Sequence, residues 1–176
     1  MLILQPATEA TPDVQLLYEE SFPLAERRDW APQLQFLADG HLRLSLLQQA
    51  GDFAGFLFYW PLNGFTYIEH FAVLAAMRGN GMGSQVMELF CKTFHAIILE
   101  VELPGDADAE RRIRFYERAG FRAFGYPYEQ PPYRQGEDPI PMMLMYKGMG
   151  DGHEVFRRVR SELHTKVYVC RPHVED

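Results

Sequence analysis

The clearest chemistry in this chain sits in one short run, Arg78-Gly79-Asn80-Gly81-Met82-Gly83-Ser84, between a strand-like segment and a helical one. Its glycines let backbone amides approach a ligand closely and take positive φ at little cost. A helix opening there adds unpaired N–H groups and the positive end of its dipole, so the turn suits a pyrophosphate. Arg78 can add a charge-assisted contact. Upstream lie Glu69 and His70. Downstream, Glu100 and Glu102 share one face of a strand by the period of two. Carboxylates and an imidazole of reference pKa ~6.5 are the groups that take up protons near neutrality. Further on, Phe115-Tyr116-Glu117-Arg118-Ala119-Gly120-Phe121 puts a phenol of pKa ~10 near a helix end, where it can donate a proton.

A glycine-rich turn alone has two enzymatic readings. In a dinucleotide fold, Gly79-x-Gly81 would precede a helix and Glu100 would stand near the ribose carboxylate position. Against that, the third glycine position is Ser84, and hairpins rather than a βαβ unit precede the turn. A P-loop is excluded because no Gly-Lys-Ser/Thr follows.

Periodicity predicts the elements that position these groups. Leu2 to Leu4 reads as a short strand. Thr11 and Pro12 open a helix with Val14, Leu17, Tyr18 and Phe22 inward, stopped by Pro23. A second helix is expected from Arg27 to about Asp39, ending at Gly40. Leu42 to Gln49, Asp52 to Trp60 and Phe65 to Leu74 alternate as strands joined by Gly51-Asp52 and Asn63-Gly64 turns, an antiparallel meander. The glycine turn then opens a helix to about His95. A buried strand (Ala96 to Val101), a helix (Ala107 to Ala119) and strands at Phe121 to Tyr128 and Pro141 to Lys147 follow. Past Gly148 come a charged helix near Glu154 to Leu163 and a strand at Lys166 to Cys170. The class is α+β.

Arg78-x-x-Gly81-x-Gly83 resembles the acetyl-CoA pyrophosphate motif (Gln/Arg-x-x-Gly-x-Gly/Ala) of the GNAT family of N-acetyltransferases. Phe115 to Phe121 resembles that family's second signature, a helix ending in Tyr and then Gly-Phe into a strand. The two stand in the family's order, with one helix and one strand between them. The resemblance covers about Leu2 to Lys147, and its specific part is Ile68 to Phe121. It implies a mixed, mostly antiparallel central sheet with helices on both faces and splayed central strands. It also implies a catalytic acyl-CoA-binding domain over 1–147, followed by a helix–strand extension over 148–176.

The resemblance further implies acetyl-CoA as co-substrate, with its pantetheine arm between His70–Leu74 and Ile98–Val101. Backbone groups of Phe71, Ala72 and Val73 would pair with the arm, and one N–H there would hold the thioester oxygen. Amides of Gly79, Asn80, Gly81, Met82, Gly83 and Ser84 would cradle the pyrophosphate beside Arg78. The reaction is aminolysis of the thioester by an amine of a small molecule or a protein. An alkylamine of pKa ~10.4 must lose a proton, and the departing thiolate needs one. Tyr116 matches the family's general acid. The base is expected first at Glu69, then Glu102, with Glu100, His70 or a water chain as alternatives. Each of these groups reads equally as an ordinary strand residue. Acceptor contacts are expected from Glu26, Arg27, Arg28, Trp30, Tyr128 and Tyr133. Where many relatives carry an Asn on the pantetheine, this chain has Leu103-Pro104-Gly105-Asp106, so that contact is not carried over.

Composition narrows the partners. A net charge of −7 without a basic run argues against nucleic acid. That weakens the reading as an acetyltransferase of aminoacyl-tRNA. A non-catalytic acyl-CoA-binding module stays open. The hydrophobic fraction of 47% and aromatic fraction of 14% fit one compact, ordered domain. No apolar run reaches the ~18 residues of a membrane span. Cys91 and Cys170 form no CxxC pair and no signal peptide is read, which points to the cytoplasm. His153, His164, Cys170 and His173 lack short ligand spacing, so no metal is expected. The extension either covers the sheet or joins a homodimer.

Overall fold

Along one central strand Phe56, Phe58 and Trp60 point to one side of the sheet and Leu57 and Tyr59 to the other, and each side gathers its own core. The computed structural model describes residues 1–169. Its strands are β1 (Leu2–Ala7), β2 (Arg43–Gln49), β3 (Asp52–Leu62), β4 (Phe65–Val73), β5 (Ile97–Glu102), β6 (Arg122–Ala123), β7 (Tyr128–Gln130) and β8 (Ile140–Lys147). They form a single sheet in the order β1-β2-β3-β4-β5-β8-β6, with β7 also on β8. Every pairing is antiparallel except β4 with β5. The helices are α1 (Pro12–Ser21), α2 (Trp30–Ala38), α3 (Met82–Thr93), α4 (Ala107–Arg118) and α5 (His153–Glu162). Residues of α1, α2 and α5 pack on one face, through Tyr18, Phe36 and Phe156 among others. Helices α3 and α4 cover the opposite face through Val86, Met87, Phe90 and Tyr116.

Two features of β4 shape everything that follows. It pairs with β5 only at Thr66–Ile97, Tyr67–Ile98 and Ile68–Leu99. Beyond these, β4 stays on β3 and β5 stays on β8, so the two strands part, as the resemblance implies. The β3–β4 register also steps between Tyr59–Ile68 and Phe58–His70, leaving Glu69 as an extra residue. Such a bulge breaks the alternation of faces. Glu69 and His70, though consecutive, both turn toward the face covered by α1 and α2. There Glu69 meets Arg28 and Trp60, and His70 meets Tyr18 and Phe22.

Three elements differ from the sequence expectation. Helix α2 starts at Trp30, because Arg27 and Asp29 are non-helical and a short 3-10 turn occupies Leu24–Glu26. The strand expected over 121–128 is broken into β6 and β7. Between them lie Gly125 and Pro127, and proline has no N–H for a ladder. The strand expected from Lys166 is helical instead. Helix α5 runs on into a π-helical turn, Leu163–Val167, because Phe156, Val159, Leu163 and Val167 bury one continuous stripe. Cys170, the end of that expected strand, and His173 lie outside the described residues.

Candidate active site

The gap left where β4 and β5 part is a cavity of about 500 Å³. Its walls come from both faces of the sheet. Phe71, Val73, Arg78, Phe115 and Tyr116 belong to the side of α3 and α4. Glu26, Glu69, His70, Glu100, Glu102 and Tyr133 belong to the side of α1, α2 and α5.

Local structure explains the glycines. Gly79 and Gly81 have φ of 85° and 74°, and a Cβ at either would meet nothing. Gly81 caps α3 in the left-handed region without a side chain, so the first N–H groups of the helix have no internal partner. That is a fit for an anion. Gly83 serves differently: a Cβ there would lie 3.3 Å from the Phe115 ring, so glycine lets α3 pack closely on α4. Met82 is buried, while Gly79, Asn80 and Ser84 are exposed. The Arg78 Nε donates to the Val73 carbonyl at 2.8 Å, tying the turn to the end of β4.

Tyr116 is held from below by a helix cap. Gly120 has φ 90°, its N–H donates to Glu117 O at 2.9 Å, and Phe121 N donates to Tyr116 O at 3.0 Å. These are the two bonds of a Schellman motif, completed by the edge contact of the Tyr116 and Phe121 rings at 5.7 Å. Asp106 caps the other end of α4 by accepting from Ala109 N at 2.8 Å. The Tyr116 ring lines the cavity, and burial raises its phenol to about 12.

The carboxylates fall into distinct states. The Glu69 side chain is fully buried and accepts from Arg28 Nη2 (2.9 Å), Trp60 Nε1 (3.0 Å), Tyr133 Oη (3.1 Å) and Gln33 Nε2 (3.4 Å). Burial pushes its pKa up, but the Arg28 guanidinium, His70 with Nδ1 3.7 Å from Oε2, and the Trp60 N–H hold it far below the usual carboxylate range. Glu102 pairs with Arg112 at the half-exposed rim. Glu100 is part-buried and has no cation at ion-pair distance among the described residues. It accepts from Tyr128 Oη at 2.5 Å and Tyr168 Oη at 2.6 Å, and the Tyr168 and Tyr67 hydroxyls lie 3.0 Å apart. Burial raises Glu100 to about 7, with the tyrosine bonds pulling the other way.

The sequence-predicted acceptor contacts divide in the same way. Glu26 and Tyr133 line the cavity. Arg28 does not face it as a surface contact: it is buried, stacked 4.9 Å from the Tyr133 ring centroid, and also donates to the Val167 carbonyl and to Gln33. Tyr128 is committed to Glu100. Trp30 packs on Tyr18 at 5.4 Å, and Arg27 donates to the Phe22 carbonyl. Sequence reasoning missed Tyr67, Arg112, Gln130 and Tyr168. Only Tyr168 carried a signal, since it ends the helical stripe of α5. Glu100 is tied to tyrosines inside the sheet, which removes it from the ribose position of the dinucleotide reading. Among the described residues no cluster of three or more His, Cys, Asp or Glu could hold a metal ion, and no helix is long and apolar enough to cross a membrane.

A mixed sheet splayed at its one parallel pair, with a glycine-capped helix at the splay, defines an acyltransferase architecture. The model of the acetyltransferase (GNAT) family matches residues 10–121, and the chain belongs to that family. A GNAT-family protein from Bacteroides thetaiotaomicron is 35% identical, with a TM-score of 0.88 over 96% of this chain and 99% of that one. YjbC of Bacillus subtilis (strain 168) is 28% identical over 105 residues, 58% of this chain. The match spans about half of YjbC's own length, 53%. A Bacillus subtilis acetyltransferase solved in complex with CoA shares the fold at 15% identity, with a TM-score of 0.61 over 85% of this chain and all of that one.

Proposed function

We propose that the chain transfers an acetyl group from acetyl-CoA to an amine of a small molecule or protein, by direct attack on the thioester. The observation that carries this reading is the β4–β5 gap, a cavity reached from the anion-binding end of α3 on one face and from a polar chamber on the other. The pyrophosphate rests on the amides of Gly79 to Ser84, with Arg78 beside it. The pantetheine arm lies along Phe71, Ala72 and Val73, on the side of β4 that β5 leaves, where the Val73 carbonyl accepts from Arg78. One of those N–H groups holds the thioester oxygen as charge develops on it.

Tyr116 donates to the departing sulfur. A phenol near 12 keeps its proton at every physiological pH. Full transfer to an ordinary thiolate, whose thiol has pKa ~8.5, would be uphill by about 5 kcal/mol. The proton therefore moves as the C–S bond breaks, and Tyr116 regains one from the attacking nitrogen. Glu69, fully occupied by four donors, is too acidic to accept a proton near neutrality. Its role is to fix Arg28, Trp60 and Tyr133 around the chamber, and Glu102 holds Arg112 at the rim. The free, half-buried thiol of Cys91 suits a reducing compartment, the cytoplasm.

The test is thiol release from acetyl-CoA in the presence of a panel of primary amines. Amine-dependent release is expected. Tight acetyl-CoA binding with no release for any amine would instead make the chain a binding module.

A further inference from the structure

Three buried polar atoms on residues lining the cavity have no hydrogen-bond partner: Ser21 Oγ, His70 Nδ1 and Gln130 Nε2. Gln130 exposes 3% of its surface and His70 2%. Buried polar groups are almost always satisfied, so unpaired ones at a cavity point to a ligand. Their polarity says what kind. His70 Nε2 lies 3.1 Å from the Glu26 carbonyl oxygen, which can only accept, so the ring proton sits on Nε2. Its Nδ1 makes no hydrogen bond and stands 3.7 Å from Glu69 Oε2.

The charge on this side of the cavity agrees. Four carboxylates line it, and two of them have cations: Glu69 has Arg28 and Glu102 has Arg112. Glu26 and Glu100 have no cation at ion-pair distance among the described residues. The groups facing Glu100 are Tyr67 and Glu69 from β4, Tyr128 from β7, Tyr133 from the loop before β8 and Tyr168 after α5. None of these is basic. Arg112 and His70 act on Glu26 only from beyond ion-pair distance, so two carboxylates without a direct cation, in a cavity that also holds one buried amide donor, ask for a cation that also carries an oxygen.

Building on the transferase reading above, we propose that this chamber takes a primary alkylammonium bearing an uncharged hydroxyl or carbonyl oxygen, an amino alcohol in its simplest form, and that Glu100 removes the ammonium proton. The ammonium lies between Glu26 and Glu100, and Gln130 Nε2 donates to the oxygen. The N–H bond breaks and its proton passes to a Glu100 carboxylate oxygen. The freed lone pair forms the C–N bond to the thioester carbon while the C–S bond breaks. The sulfur takes the Tyr116 proton, and the nitrogen returns a second proton to Tyr116. The products are the amide, the CoA thiol and one proton, which leaves Glu100 for solvent. A carboxylate on the acceptor in place of the oxygen meets Glu26 and Glu100 and is repelled.

The pH profile separates this from attack by amine drawn from solution. At pH 7 only about one part in 2,500 of an alkylamine of pKa ~10.4 is free base. Without Glu100, kcat/KM climbs tenfold per pH unit toward ~10. With it, kcat/KM levels off once Glu100 is ionised, above about pH 7. The experiment uses amino alcohols, plain alkylamines and amino acids of matched chain length, with wild type, Glu100→Gln and Gln130→Leu. Calorimetric binding of acetyl-CoA to each is measured alongside.

Expected are a wild-type plateau above about pH 7 and a loss of about 10²-fold at pH 7 in Glu100→Gln, with a profile that now climbs. Amino acids should be poorer acceptors by about tenfold or more, and Gln130→Leu should lose the preference for amino alcohols over alkylamines through KM. Acetyl-CoA should bind all three proteins alike. The proposal is overturned by a wild-type rate and profile in Glu100→Gln, by equal use of amino acids, or by no acetylated amine despite tight acetyl-CoA binding. Should Glu100→Gln not fold, a wild-type kcat/KM that keeps climbing through pH 9 overturns it. If acetyl-CoA fails to bind wild type, the transferase reading falls first and takes this proposal with it.

Discussion

Glu69 and Glu100 stand on the two strands that part, and their neighbours treat them in opposite ways. Glu69 is raised by burial but held far lower by Arg28 and its other donors, so its ionised form stabilises the fold. That contribution is present above the ordinary carboxylate range and is lost as pH falls below it. Glu69→Gln leaves Arg28 buried without its partner, at a cost of about 3–5 kcal/mol near neutrality. Urea melts should show the gap to wild type narrowing as pH falls below ~4.5. Glu100 has the reverse sign. Raised by burial to about 7, it stabilises fully below its unfolded value and loses that stability as pH rises through 7. The loss is about 3 kcal/mol, so wild-type melting temperature should fall from pH 5 to pH 8 more steeply than that of Glu100→Gln. Parallel slopes would refute the assignment. For Tyr116→Phe, kcat should drop by about 10²-fold with acetyl-CoA affinity unchanged, because only the proposed proton donor is removed.

At the scale of elements, the second signature is a cap as much as a catalytic motif. Gly120 takes a conformation that costs an L-residue about 1–2 kcal/mol, and an added Cβ would sit 3.2 Å from Lys147 Nζ. Gly120→Ala should therefore lose about that much stability, and also kcat, since the cap orients Tyr116. Thermal melts and steady-state rates check the two separately. Here the sequence was most legible. Turn glycines, the Asp106 cap and the strand–helix order could all be read because their causes are local. What could not be read arises between elements. The extra residue at Glu69 appears only when β3 and β4 are paired, and it alone puts Glu69 and His70 on one face. Arg28 looked like a surface arginine because nothing local says that Glu69, 41 residues along the chain, receives it. The misread strand at Lys166 had its correction in the sequence, in the spacing of Phe156, Val159, Leu163 and Val167.

For the whole molecule, the extension past Gly148 belongs to the core of the face that holds the chamber. Phe156, Val159, Leu163, Val167 and Tyr168 are all buried there, and Tyr168 reaches Glu100. At ~1.5–3 kcal/mol for each buried large side chain, removing them approaches the entire ~5–15 kcal/mol of a typical domain. A chain ending at Lys147 should not fold cooperatively, as circular dichroism during urea titration would show. A sharp transition with native helix content would contradict this. On the proposed function the sheet joins two half-sites, a donor side built by α3 and α4 and an acceptor side built by α1, α2 and the extension. They meet only where β4 and β5 part. The donor side decides whether the account holds, and calorimetric titration of acetyl-CoA, with NAD in parallel, tests it most directly in wild type and Gly81→Trp. At 100 times Kd, bound acetyl-CoA should stabilise the wild type by ~2.7 kcal/mol, and the bulky side chain at the cap of α3 should abolish the response. Binding of NAD with no response to acetyl-CoA, or equal acetyl-CoA binding by both proteins, would contradict the account.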